Sequence, residues 1–480
     1  MLFNSFTFWI FYLLVAFFYC RLKHKAQNKL LLVASYFFYG FWNWKFLGLV
    51  WISTLVDYFA ANKIDISDNK SSKKKWLCLS ILTNLSILGF FKYYNFFISE
   101  FLSLTKVIGL TVSLPIYEIA LPVGISFFTF QTMSYTIDVY RGNSKPAKSF
   151  SDFALFVCFF PQLVAGPIER YDTLMPQILN PRKKEENDFS IGLYHVILGL
   201  FKKVVVADNL SLFVDAIYSS NPSQITGLDC LIGTYAFAFQ IYCDFSGYSS
   251  IAQGIAKWIG FDLSFNFKMP YFSKSPSDFW QRWHITLSSW LRDYLYIPLG
   301  GNRRGKLLTV RNLMLTMLIG GLWHGAGWAF IAWGGFHGLL LCTYRYIVPA
   351  DKQVNNSNIK NKLIGFLQRI IFFNLICIAW IFFRSNAVLE YSDLGYAISM
   401  ISRIFTDWTI GKYTLYGIAT ILFYAGPMML FEYWIFTKKN KMLMLLEESW
   451  IKRTLIYSYF IIMIWFFSSE DTGEFIYFQF

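Results

Sequence analysis

The chain has 480 residues, of which 55% are hydrophobic, 21% aromatic and only 15% charged. Soluble domains carry about 25% charged residues, so a soluble globular or disordered protein is excluded. The net charge of +14 would suggest nucleic acid on a soluble domain, but the cations fall in short clusters between apolar runs.

Those clusters lie at 21–29, 63–75, 141–148, 182–184, 303–306 and 438–441. Short basic loops between apolar runs are the signature of the cytoplasmic side of a membrane protein. Membrane lipid is the expected surrounding, and no nucleic-acid partner is expected. The first run, 2–20, is followed by Arg21, Lys23 and Lys25. A cleaved leader carries its charges before the run, so this one reads as a retained first membrane helix. The cluster after it puts the N-terminus outside.

Further candidate membrane helices follow at 30–41, 46–62, 76–97, 107–137, 153–168, 189–218, 228–260, 308–323, 325–348, 366–383, 413–437 and 452–469. Some are half-helices, which leaves roughly eleven crossings. The expectation is an all-α polytopic membrane protein, with 1–480 as a single membrane-embedded domain. The seven cysteines are dispersed, with no CxxC and no zinc-like spacing, and no metal is expected.

Two Pro/Gly-interrupted stretches stand out, LPVGISFFTFQTMSYTIDVYR at 121–141 and FFPQLVAGPIER at 159–170. Backbone groups freed by such breaks must be satisfied by protein or by a water-filled cavity. A packed kink and a re-entrant segment both fit 161–167. Next, YCDFSGY places Asp244 in an apolar run. A buried carboxylate needs a partner. A structural pair, such as one with an arginine, fits better than a role in orienting a histidine.

The segment 277–296 reads as a helix capped by Ser277, with Asp278 in its first turn. At 100° per residue Trp280, His284, Leu287 and Leu291 share one face. Asp278, Arg282, Ser289 and Asp293 share the other, and Asp278–Arg282 is a favourable i,i+4 pair. His284 is therefore expected to aim into the protein from an interfacial helix. The following IPLGGNRRGK is either a basic cytoplasmic loop or a place where Arg303 and Arg304 meet donor phosphates.

His324 lies in GGLWHGAGWAFIAWGGFHG, inside a stretch, 312–344, without Asp, Glu, Lys or Arg. A titratable group at membrane depth is costly and marks a functional site. Imidazole suits proton transfer near neutral pH. Gly320, Gly321, Gly325 and Gly327 are expected to leave room for a substrate chain, with Trp323, Trp328 and Trp333 as walls. His337 is a weaker candidate for a direct role.

These blocks resemble the membrane-bound O-acyltransferase family, closest to its bacterial alginate-type polysaccharide O-acetyltransferases. The resembling blocks are LPVGISFFTFQTMSYTIDVYRG, FFPQLVAGPIER, the long run from YCDFSGY to PLGGNRRG, GGLWHGAGWAFIAWGGFHG and FIYFQF. The resemblance implies a helical bundle, with re-entrant or interfacial helices, around a central tunnel. It implies acetyl transfer from cytosolic acetyl-CoA, as donor substrate, to an extracytoplasmic glycan, alginate-like or peptidoglycan. A periplasmic or membrane-anchored partner would complete the transfer, in the bacterial inner membrane. The family's paired histidines fall on His284 and His324, with His324 in the position usually given the catalytic role. Arg282, Asp293 and Asp244 are supporting candidates. The FxYxxF pattern at 475–480 resembles an aromatic tail of these systems, which makes Tyr477 a candidate acyl relay; an interfacial aromatic cluster is the plainer reading.

The chemistry agrees: acyl transfer from a thioester to a hydroxyl needs a base and an oxyanion donor. His324 is the expected base and His284 the orienter or donor, although the roles can be exchanged. The rivals are D-alanyl transfer to teichoic acid from a carrier-protein thioester, a transporter using His324 in a relay, and a structural scaffold. No cofactor is expected to be bound.

Overall fold

The computed structural model describes residues 1–164, 166–347, 359–385, 393–438, 442–469 and 475–476. Helices dominate, and no strand occurs among the described residues. Length and composition identify four helices able to cross a bilayer: Lys70–Val107, Asp188–Tyr218, Leu363–Ser385 and Trp450–Phe467. The pair Thr414–Tyr424 and Gly426–Thr437, bent by 48°, makes a fifth if it is one span. The chain is an all-α multi-pass membrane protein.

Two compact units are present, Met1–Val196 with Ile251–Ser264, and Ile197–Ser250 with Phe265–Phe480. In the first, the helix Phe6–Tyr19 starts where the Ser5 hydroxyl accepts from the Phe8 N–H. Satisfying an orphan N–H in this way is what a serine cap contributes. Its tyrosines are buried, and Tyr12 and Tyr19 donate to the carbonyls of Ile255 and Ile259 at 2.8 and 2.7 Å. A basic anchor closes the same unit: Arg182 donates to Asn28 Oδ1 at 2.8 Å and Gln27 Oε1 at 3.1 Å.

The expected helix 107–137 is a correction. It begins only at Ile125, and 108–124 is irregular. Pro115 and Pro122 remove donors, and Gly109 and Gly124 take positive φ, which helix cannot use. The expected span 153–168 breaks as well, into Phe150–Cys158 and Phe160–Leu163. There the amides of Gln131 and Gln162 both donate to the Phe156 carbonyl at 2.8 Å. Protein side chains therefore satisfy the group that the break frees, and residues 160–163 are fully buried. Of the two readings of 161–167, the geometry is that of a packed kink.

Asp57 is fully buried in the helix Leu47–Ile66. It accepts from Ser80, from Asn84 Nδ2 at 2.8 Å and from Thr136 at 3.2 Å, while Ser53 donates to Asn84 Oδ1 at 2.7 Å. Three helices are joined by this one carboxyl. Asn84→Ala strips a donor from it and an acceptor from Ser53, each buried. A loss of about 1–3 kcal/mol is expected, read as a lower thermal midpoint of the protein in detergent.

Candidate functional site

The second unit holds the three histidines singled out in the sequence. The expected single helix 277–296 is two short helices, Pro276–Trp280 and Ile285–Leu291, followed by a π-helical turn, Arg292–Tyr296. Ser275, not Ser277, is the cap, accepting from the Asp278 N–H at 3.2 Å. The reason is Pro276: its fixed φ and missing N–H suit the first helical position, so the cap falls before it. His284 sits in the break with φ +40°, a left-handed conformation uncommon for a non-glycine residue. The irregular segment beside it supports the break, because Ile285 N–H donates to the Asn266 carbonyl at 2.9 Å and Lys268 N–H to the Arg282 carbonyl at 3.0 Å. Thr286 Oγ1 adds a bond to Asn266 Oδ1 at 2.6 Å.

The break changes which side chains turn inward. His284 is fully buried, as expected, together with Leu287 and Leu291. Phe279 and Trp283, rather than Trp280, complete the buried face. Arg282 pairs with Asp278 at 2.6 Å, as the spacing requires. Asp293 pairs with Arg292 at 2.7 Å.

His324 ends the helix Lys306–His324, and the next helix, Trp328–Ile347, packs back on it. Its ring lies in an aromatic cage. Trp323 stands 5.0 Å away between ring centroids, Trp333 4.9 Å and Phe383 5.4 Å. Trp323 also meets His284 at 6.0 Å, so one indole touches both histidines. Phe245 closes the far side of His284 at 4.7 Å. His337 is fully buried against Trp333 at 4.7 Å and Trp280 at 5.0 Å. Among the described residues neither of its ring nitrogens has a hydrogen-bond partner.

His284 lies outside the helices that length and composition mark as spans. Burial pushes its imidazole down to about 3, so it is neutral at pH 7. A neutral ring offers one N–H donor and one acceptor.

Two expectations about the walls fail. Trp328 is 47% exposed and is no part of the cage. Gly321 and Gly325 serve packing, not a substrate chain. A Cβ on Gly321 would lie 2.2 Å from the Phe330 carbonyl oxygen, and one on Gly334 2.2 Å from that of Met317. A Cβ on Gly325 would strike the Phe330 ring at 2.0 Å. The two helices thus meet backbone to backbone, as small residues allow in membranes.

Asp244 pairs with Lys203 at 2.7 Å, a lysine where an arginine was the suggested partner. Lys203 also pairs with Asp208 at 2.7 Å, and Lys202 with Glu432 at 2.6 Å. Both lysines are buried on the π-helical stretch Phe201–Ala207. π-Bulges recur at functional sites. The sequence reading passed over this pair, although two adjacent lysines inside an apolar run were the signal for it. Arg303 and Arg304 are exposed on their turn. Tyr477 lies outside the described residues. Among those residues no three His, Cys, Asp or Glu side chains gather as metal ligands would.

The membrane-bound O-acyltransferase family matches residues 37–385, which include both caged histidines. The chain belongs to that family. A probable alginate O-acetylase from Azotobacter vinelandii is 40% identical over 405 residues, covering 83% of this chain and 78% of that protein. A peptidoglycan O-acetyltransferase from Helicobacter pylori is 40% identical over 418 residues, covering 80% and 77%. A teichoic acid D-alanyltransferase from Streptococcus thermophilus is 29% identical over 280 residues, covering 54% and 67%. The protein is a membrane O-acyltransferase.

In this acyltransferase the glycine seam yields a contrast. Gly321→Val places atoms inside the facing backbone, and the yield of monodisperse protein in detergent should collapse. Gly320→Ala meets only the Leu291 Cδ1 methyl at 3.2 Å, and yield should be kept.

Proposed function

We propose that this O-acyltransferase takes acetyl from cytosolic acetyl-CoA and delivers it across the bacterial inner membrane for O-acetylation of an extracytoplasmic polysaccharide, alginate-like or peptidoglycan. The observation that carries this reading is the pair of buried histidines, His284 and His324, both against one indole. The names of the relatives support acetyl as the group and a glycan as the acceptor. A periplasmic or membrane-anchored partner completes the transfer, and no cofactor or metal is used. The reading takes 1–480 as one membrane domain with about eleven crossings around a tunnel, long enough to join the two sides of a bilayer.

In the proposed step the acceptor hydroxyl oxygen attacks the thioester carbonyl carbon. His324 takes the hydroxyl proton as the C–O bond forms. The carbonyl oxygen becomes an oxyanion, and His284, neutral at pH 7, donates its N–H to it. Collapse breaks the C–S bond, and the proton passes from His324 to the departing thiolate. The exchanged assignment uses the same atoms with the two rings swapped. The aromatic cage keeps water out, which strengthens each electrostatic contact. Arg303 and Arg304, exposed on the turn before the helix Lys306–His324, are the proposed contacts for donor phosphates. Arg282, Asp293 and Asp244 support the scaffold through their ion pairs.

Purified protein in nanodiscs should cleave acetyl-CoA thioester, and His324→Ala should lower the rate by about 10²–10⁴-fold with the fold intact. Equal cleavage in wild type and variant would overturn the assignment. Consumption of a D-alanyl carrier-protein thioester in place of acetyl-CoA would move the protein to the teichoic-acid reaction.

A second test concerns the relay. Tyr477 is proposed to carry the acetyl group as an ester on its hydroxyl on the way to the partner. Tyr477→Phe should abolish acetylation of the final polymer while leaving thioester cleavage measurable. Unchanged polymer acetylation would remove the relay.

A further inference from the structure

Asp244 does more than balance a charge. Its Oδ1 faces Lys203 Nζ at 2.7 Å, and its Oδ2 accepts the main-chain N–H of Ile476 at 2.7 Å. The neighbouring Phe475 is fully buried and Ile476 nearly so. The Phe475 ring packs on Tyr248 at 4.6 Å and on Phe245 at 5.6 Å. Phe245 in turn meets the His284 ring edge-on at 4.7 Å. Residues 244, 245 and 248 lie on one helix, Gly227–Trp258, within about one turn of each other.

We infer that Asp244, Phe245 and Tyr248 form a receptor for the segment Phe475–Ile476, and that docking there braces Phe245 against His284. Asp244 is a positioning residue: it acts on the segment, not on the reacting atoms. The recognition has two parts. The Asp244 carboxyl accepts a main-chain N–H, a bond that reads backbone and not side chain. The aromatic pocket reads the ring at 475. Lys203 pairs with the same carboxylate, and Asp208 shares that lysine. The inference rests on the proposed relay only for its purpose, since a hydroxyl at 477 is useful when the residues before it are held near the histidines.

The experiment uses the full 480-residue protein in detergent. Carboxypeptidase Y is added, and intact mass is followed with time. In wild type, trimming should stall with Phe475 and Ile476 retained. Phe475→Ala should be trimmed through position 475 at least about tenfold faster, the scale of one lost buried aromatic side chain. Asp244→Ala should behave likewise, and Asp244→Asn should be slower, because the amide oxygen still accepts the Ile476 N–H. Phe475→Leu should partly restore the stall. Phe475→Ala leaves the ion pairs of Lys203 intact, so it remains a test even if Asp244→Ala fails to fold. Trimming of wild type past Ile476 as fast as Phe475→Ala would overturn the receptor. Tyr477→Phe should stall like wild type whether or not it supports transfer, so docking and relay fail separately.

Discussion

Lys203 answers two buried carboxylates at once, and the site is built outward from that contact. An isolated charge in a low-dielectric interior costs several kcal/mol, and removing one partner of a buried pair leaves the other stranded. Asp208 and Asp244 on Lys203, and Glu432 on Lys202, therefore fix how three helices meet. Every residue of the π-helical stretch Phe201–Ala207 is buried, so both consecutive lysines lie inside and each needs its carboxylate. From Asp244 the next residue, Phe245, reaches His284, and the aromatic cage begins.

The cage stands on interrupted helices. His284 occupies a break held open by Asn266, and His324 ends a helix just before another break. Backbone irregularity inside a membrane protein must be satisfied by protein, and here the neighbouring segment supplies the partners. A left-handed histidine costs of order 1–3 kcal/mol and persists only where its surroundings impose it. His284 there meets edge-on the indole that also contacts His324.

Much of this could be read from residues alone. Apolar runs gave the helical class, the absence of charge around His324 anticipated its burial, and Asp278–Arg282 followed from spacing. The errors share one cause. Periodicity reports the average direction of a helix and is blind to where it breaks, so 277–296 was expected to be continuous and Ser277 its cap. Pro276 carried the better signal. The glycines around His324 were open to two meanings, since room for a ligand and room for a backbone look alike in sequence. Only the position of Phe330 decides. Lys203 escaped notice because its partners Asp208 and Asp244 are brought to it by the fold, and chain order gives no hint of the second.

The close seam between Lys306–His324 and Trp328–Ile347 bears on how the protein is made. Only residues 325–327 separate the two helices, so closing them costs little chain entropy. Their backbones already fit, and neither needs a later segment to cover its glycines. The pair can form a finished hairpin as soon as it is synthesised, with His324 at its tip. Phe383, from a helix synthesised some sixty residues later, then closes the cage from outside. The histidine would be seated before the enclosure around it exists, and its assembly would be ordered by ribosome time as well as by free energy.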